Sequence, residues 1–249
     1  MRTKASRRII LFAAAVLLTA TPAAAQRPER PWSADFSIGW DNSISGNVLS
    51  AGVGTVFDLA TVVDDKSYDD IYGTGVRWAF GVGYRIRERR ELRAAFTFST
   101  VSADSREIGT AGGAPLFANF DDYSVWGLDF GYRQYLSALE RAPRVTPYFG
   151  GNIGVNVINE IDADLAVPAL NLTRNATDFY DGTAAFTFEF NGGTLITVHP
   201  RVDLDLRLGL RFVTGLSDVD GLVGTGLEDI NDDSGRWILP FTVGVRFKF

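Results

Sequence analysis

From residue 32 onwards apolar and polar side chains alternate with a period of two, and they do so in eight separate runs. In the first run, "WSADFSIGWD", Trp32, Ala34, Phe36, Ile38 and Trp40 share one face, and Ser33, Asp35, Ser37, Gly39 and Asp41 share the other. The same pattern returns in "GVRWAFGVGYRI", "LRAAFTFST", "YSVWGLDFGYRQY", "VTPYFGGNIGVNV", "AAFTFEFNGGTLITV", "VDLDLRLGLRFV" and "WILPFTVGVRFKF". Strict alternation is the signature of a strand with one apolar and one polar face, so eight β-strands are predicted. In the sixth run the phase weakens after Gly192-Gly193, where a bulge is expected.

The connections alternate as well. "RERRE", "LSALERAPR" and "HPR" are short, whereas the segments spanning about 42–72, 102–122, 159–181 and 215–235 are long. Short turns at one end and long loops at the other describe a transmembrane barrel with periplasmic turns and extracellular loops. A soluble sandwich or lipocalin-like barrel would also alternate, with its apolar face inward. Three observations favour apolar-out. The polar face mixes charged residues with glycines, as a narrow lumen requires. Aromatic residues gather at strand ends, with Trp32, Tyr84, Tyr132 and Phe249 at the turn side and Trp40 and Trp237 at the loop side. The final run, at about 3.3 Å per residue and tilted by about 40°, rises roughly 30 Å, enough to cross a membrane. The expected fold is therefore all-β: an eight-stranded, antiparallel, up-and-down transmembrane β-barrel. The long first loop contains "NVLSAGVGTVFDL", which could add a hairpin above the membrane or raise the strand count to ten.

These stretches give the sequence its resemblance to known proteins. "TPYFGGNIGVN", "RVDLDLRLGLRFV" and the ending "VGVRFKF" resemble the small eight-stranded outer-membrane barrels of the OmpA/OmpX type. The resemblance implies an outer-membrane location, contact with outer-membrane lipid and lipopolysaccharide, and delivery by the barrel-assembly machinery. In that family the alternating last strand ending in Phe is the assembly signal, which here implies Phe241, Val243, Val245, Phe247 and Phe249. No peptidoglycan-binding domain follows the barrel, so an anchoring role of that kind is not implied.

Charge and composition refine this picture. The first residues, "MRTKASRRIILFAAAVLLTATPAAAQ", read as a secretory leader: a basic start, a short apolar stretch, and Ala23 and Ala25 at the positions signal peptidase requires. Cleavage after Ala25 divides the chain into a signal peptide, 1–25, and a barrel domain, 26–249. Without the leader the chain has 20 basic and 30 acidic residues, a net charge of −10, which argues against a nucleic-acid partner. There is no cysteine, so no disulfide framework holds the fold.

The long loops hold twenty acidic against three basic residues. Self-repulsion would keep such loops soluble and extended; divalent cations are possible partners, although "DINDDSG" misses the spacing of a calcium loop. The polar strand face supplies a lumen charge network: Arg77, Arg93, Asp129, Arg133, Glu189, Asp203, Asp205, Arg207, Arg211 and Arg246. Eight strands enclose a space that side chains just fill, so these charges form either a plug or a narrow ion path, and pairing favours the plug. Outer-membrane lipid deacylases and acyltransferases use a histidine with a serine. Here the sole histidine, His199, sits in a tight turn and reads as a turn residue. No cofactor, metal site or catalytic residue is expected. The function implied is structural or surface-interacting, with a small porin as the alternative and a lipid-modifying enzyme after that.

Overall fold

A computed structural model describes residues 30–137, 144–218, 222–231 and 234–249. The expected leader, part of the second short link, and Asp232 and Asp233 of "DINDDSG" lie outside the described residues. The alternating runs form the strands β1 (Trp32–Ser43), β6 (Gly75–Arg87), β7 (Arg90–Val101), β10 (Tyr123–Tyr135), β11 (Val145–Ile158), β14 (Thr183–His199), β15 (Val202–Val213) and β17 (Arg236–Lys248). Each pairs antiparallel with its neighbours in sequence, and β1 pairs with β17, so the sheet closes as an eight-stranded barrel. The seam continues to the last residue: the N–H of Phe249 donates to the carbonyl of Trp32 at 3.0 Å, and the reverse bond is 3.2 Å.

The apolar faces point outward. Phe80, Leu128, Phe130, Ile153, Phe186 and Phe190 are each more than half exposed, and Trp40, Leu92, Leu208 and Phe247 carry the exposed apolar face onto the other four strands. A closed ladder leaves no unpaired edge, which is the condition for a sheet to sit in hydrocarbon. Trp32 packs on Tyr84 with ring centroids 4.7 Å apart at the short-turn end. Towards the other end Trp40 stacks on Phe241, and Trp237 meets Phe188 and Phe212. Inside, glycine makes room for charge: a Cβ at Gly154 would stand 2.1 Å from Oδ1 of Asp129 and 2.7 Å from the Leu128 carbonyl.

The expected bulge at Gly192-Gly193 does not occur. The β11–β14 and β14–β15 registers run unbroken through both glycines, and the shift falls between Thr197 and His199. The weak phase there has another cause: Leu195 faces the lumen, where it packs with Tyr135 and Tyr148.

The long connections differ most from expectation. They are not extended; they fold into a second sheet. Hairpin β3 (Gly52–Val56)–β4 (Leu59–Val63) comes from the first, β8 (Arg106–Ala111)–β9 (Ala114–Phe120) from the second, and β12 (Ile161–Val167)–β13 (Leu172–Asp181) from the third. With β16 (Ser217–Asp218) they order as β16-β13-β12-β9-β8-β4-β3. The anticipated first-loop hairpin therefore exists, but it joins this cap and the barrel count stays at eight. The fourth connection meets both edges of the cap: β16 pairs with β13, and the N–H of Thr55 in β3 donates to the Thr225 carbonyl at 2.6 Å.

The cap buries a core of its own. Ile108, Leu116, Phe120, Leu165, Val167 and Phe179 face inward and join Val125, Ala185, Val213 and Ile238 from the barrel rim in one apolar cluster. A short strand pair, β2 (Asn47–Leu49) with β5 (Lys66–Ser67), leads into helix α1 (Tyr68–Ile71). Ser67 caps that helix by accepting from the Asp70 N–H, while Asp70 accepts from the Ser67 N–H. The helix buries Tyr68 and Ile71 under the cap.

Candidate functional site

The barrel lumen is filled by charged side chains in successive layers. Nearest the short turns, Glu91 accepts from the Arg246 guanidinium and from the Tyr135 hydroxyl at 3.1 Å, and Arg246 also donates to that hydroxyl at 2.6 Å. Beside them Asp203 accepts from Lys248 at 2.7 Å and from Thr197 at 2.9 Å. In the middle layer Asp205 accepts from Arg133 at 2.7 Å and from the Tyr148 hydroxyl at 2.5 Å, with the guanidinium 4.0 Å above the Tyr148 ring. Asp35 accepts from Arg93.

The upper layer centres on Glu189, which accepts from Arg211 at 2.5 Å, Asn191 at 3.0 Å and Asn152 at 3.2 Å. Asp41 stands between Arg77 at 3.3 Å and Arg211 at 3.5 Å, and Asp129 lies 4.0 Å from Arg211. Arg207 lines a small cavity of about 10 Å³ together with Arg77, Arg93, Asp129 and Arg211.

Each charged residue singled out in the sequence thus points into the lumen. Arg77, Arg93, Arg133, Glu189, Asp203, Asp205, Arg207, Arg211 and Arg246 are buried, and Asp129 is partly so. Sequence reasoning left out Asp35, Asp41 and Glu91. The first two lay on the polar face of β1 and could have been found there. Glu91 looked like part of the "RERRE" turn, yet it is fully buried in β7. Buried ions in a narrow space require partners, because an isolated charge there costs several kcal/mol. Tyr135, Tyr148, Asn152, Asn191 and Thr197 supply further hydrogen bonds to these acids and bases.

Above the lumen Arg236 is held between two rings, its guanidinium 4.2 Å from the Tyr68 centroid and 4.6 Å from that of Tyr123, and it donates to the Tyr123 hydroxyl. Over it lies the cap, whose outer face carries exposed acids such as Asp64, Asp121, Glu160, Asp164 and Asp178; its exposed bases among the described residues are Arg106 and Arg174. Glu160, Asp162 and Asp178 bring one carboxylate oxygen each within 4.8 Å of the others. Burial, with Asp178, Asp121 and Asp164 nearby, raises the Asp162 carboxyl above its ordinary value.

His199 is exposed at the short-turn end, where its Nδ1 accepts from the Arg201 N–H at 3.3 Å. Phe241, Phe247 and Phe249 are exposed on the outer face of β17 and beyond it, with Val243 and Val245 half-buried between them.

A closed barrel with an apolar outer belt and a paired polar interior is an integral barrel of the outer membrane, in contact with its lipid. No protein-family model matches the chain, and no curated protein matches it in sequence. Among solved structures it is similar to Neisserial surface protein A, at 16% identity over 88% of this chain and 96% of that one, with a TM-score of 0.41. It is also similar to the outer membrane protein OprG from Pseudomonas aeruginosa, at 11% identity over 90% and 99%, with a TM-score of 0.44. Ail, the attachment invasion locus protein of Yersinia pestis, aligns at 10% identity over 88% and 99%, with a TM-score of 0.39.

Proposed function

We propose that this protein is a non-conducting, non-catalytic barrel that serves envelope integrity or surface contact, with the acidic cap as its working face. In this reading the short turns lie in the periplasm and the cap lies outside the cell. One observation carries the reading: the lumen is crossed by layers of buried, mutually bonded charges from Glu91–Arg246 up to Glu189–Arg211. An ion entering this space would have to break several buried pairs, and such pairs resist separation by about 3–5 kcal/mol each. The cap closes the same path with an apolar core.

The outward Phe241, Val243, Val245, Phe247 and Phe249 would serve recognition by the assembly machinery, after a leader is removed behind Ala25. The exposed carboxylates favour divalent cations and the lipopolysaccharide phosphates those cations bridge, through the field of the whole cap rather than one tight site. Planar-bilayer recording tests the reading. The purified protein should insert without discrete conductance steps; regular steps would establish a small pore and overturn it.

A further inference from the structure

Between the uppermost lumen charges and the cap lies a cavity of about 40 Å³. That volume holds about three water-sized spheres, or three to five non-hydrogen atoms. Its walls carry more apolar than polar surface, with Val125, Val213, Ile238 and the Tyr123 ring on the barrel side and the rings of Tyr68 and Tyr72 on the cap side; Ser43, Ser99 and Asn156 also line it. Gly73 stands on its rim, exposed, with open space around the place a Cβ would take.

Two buried donors in this lining have no hydrogen-bond partner among the described residues: the Tyr72 hydroxyl and Nε of Arg236. Tyr72 is 5% exposed and Arg236 is 6% exposed. Leaving such donors unmatched is unfavourable, more so for the charged one. Burial, with Tyr68 and Tyr123 close by, pushes the Tyr72 phenol well above its ordinary value, so it stays a neutral donor. The charges in the lining are Asp41, Arg211 and Arg236. Asp41 is already engaged by Arg77 and Arg211. Arg236 has two aromatic faces and the phenol oxygens of Tyr123 and Tyr68, but no ion pair among the described residues. A buried guanidinium compensated only in this way favours an anion.

We propose that this cavity binds a short-chain carboxylate. The carboxylate group meets Nε–H of Arg236 and the Tyr72 hydroxyl, and the short apolar body lies against Val125, Val213 and Ile238. The planar guanidinium suits a planar carboxylate, and the apolar walls favour a ligand with a hydrocarbon part over a bare inorganic anion. Size restricts the class to acids such as acetate and propionate.

The test is a ¹³C-propionate NMR titration of the full chain in detergent micelles at constant ionic strength. Saturable binding is expected, with sulfate and chloride competing poorly. Arg236→Met should weaken it about tenfold or more, as loss of a charged hydrogen bond implies. Tyr72→Phe should weaken it about three- to tenfold, as for a single hydroxyl donor. Arg106→Gln, on the exposed cap, should leave binding unchanged. Absence of saturable binding in the native protein overturns the proposal, and so does equal binding of sulfate. If Arg236→Met does not fold, Tyr72→Phe decides, and undiminished propionate binding in that variant overturns the site.

Discussion

Glu189 shows how one residue organises the lumen. It takes hydrogen bonds from Arg211, Asn191 and Asn152 and lies 3.9 Å from Arg77, so it compensates parts of two guanidinium charges at once. Glu189→Gln keeps the shape but leaves Arg77 and Arg211 to share Asp41 and the more distant Asp129. Breaking one partner of a buried pair costs about 3–5 kcal/mol. The variant should therefore lose about 3 kcal/mol of barrel stability in urea unfolding followed by tryptophan fluorescence in micelles. Glu107→Gln, at an exposed cap position, should stay within about 0.5 kcal/mol of the native protein. A similar loss in both variants would remove the special role assigned to Glu189. Most of this network was legible in the sequence, because a period of two assigns a charge to a face without any knowledge of its partner. Which charges meet was not legible: Arg93 with Asp35 and Arg246 with Glu91 are separated by 58 and 155 residues.

At the scale of elements, the barrel strands and the first-loop hairpin were readable and the other cap strands were not, for a physical reason. A membrane strand shows large apolar residues on one face along twelve or more positions, whereas the cap strands are short and bury small residues such as Ala111, Ala118 and Ala163. Their turns were marked unevenly. Gly112-Gly113, both at positive φ, joins β8 to β9 and is a recognisable two-residue hairpin signal. Phe57-Asp58, at φ 57° and 59°, makes the equivalent turn between β3 and β4 with residues that rarely adopt it. Gly109 is the point where the cap depends most on glycine. Its φ is +152°, and a Cβ there would lie 2.0 Å from the Val62 carbonyl oxygen in the adjacent β4. Gly109→Ala should cost about 1–3 kcal/mol locally and separate β4 from β8. Amide exchange should quicken in β3, β4 and β8 while the β6–β7 and β10–β11 ladders keep their protection. Uniform loss of protection would show that cap and barrel unfold as one unit.

At the scale of the whole molecule, charge is divided between the two parts. The lumen pairs its ions internally, while the cap carries exposed acids with few bases, so pH and salt should act on the two parts differently. In the cap, the raised carboxyl of Asp162 means that its burial, together with repulsion from Asp178, Asp121 and Asp164, opposes folding whenever the group is ionised. A carboxyl whose folded pKa lies above its unfolded value imposes its full penalty at neutral pH and is relieved as pH falls through the folded value. Two other cap carboxyls have the opposite sign. Bonds from Ser67 lower Asp70, and backbone N–H groups of its own turn lower Glu228. Their stabilising contribution is present above the ordinary carboxylate range and is lost as pH falls through and below it. Cap stability should therefore rise from neutral pH to a maximum just above the ordinary carboxylate range, then fall on further acidification. Added salt at pH 7 should raise it as well, since screening over about 8–10 Å weakens repulsion between exposed charges. Amide exchange of the β12–β13 hairpin against pH and sodium chloride measures both effects, with the β10–β11 ladder as internal reference. Asp178→Asn should flatten the neutral-to-acid rise by removing one of Asp162's neighbours. A hairpin whose protection is unchanged from pH 7 to 5, or falls with salt, would contradict repulsion as the force acting on the cap.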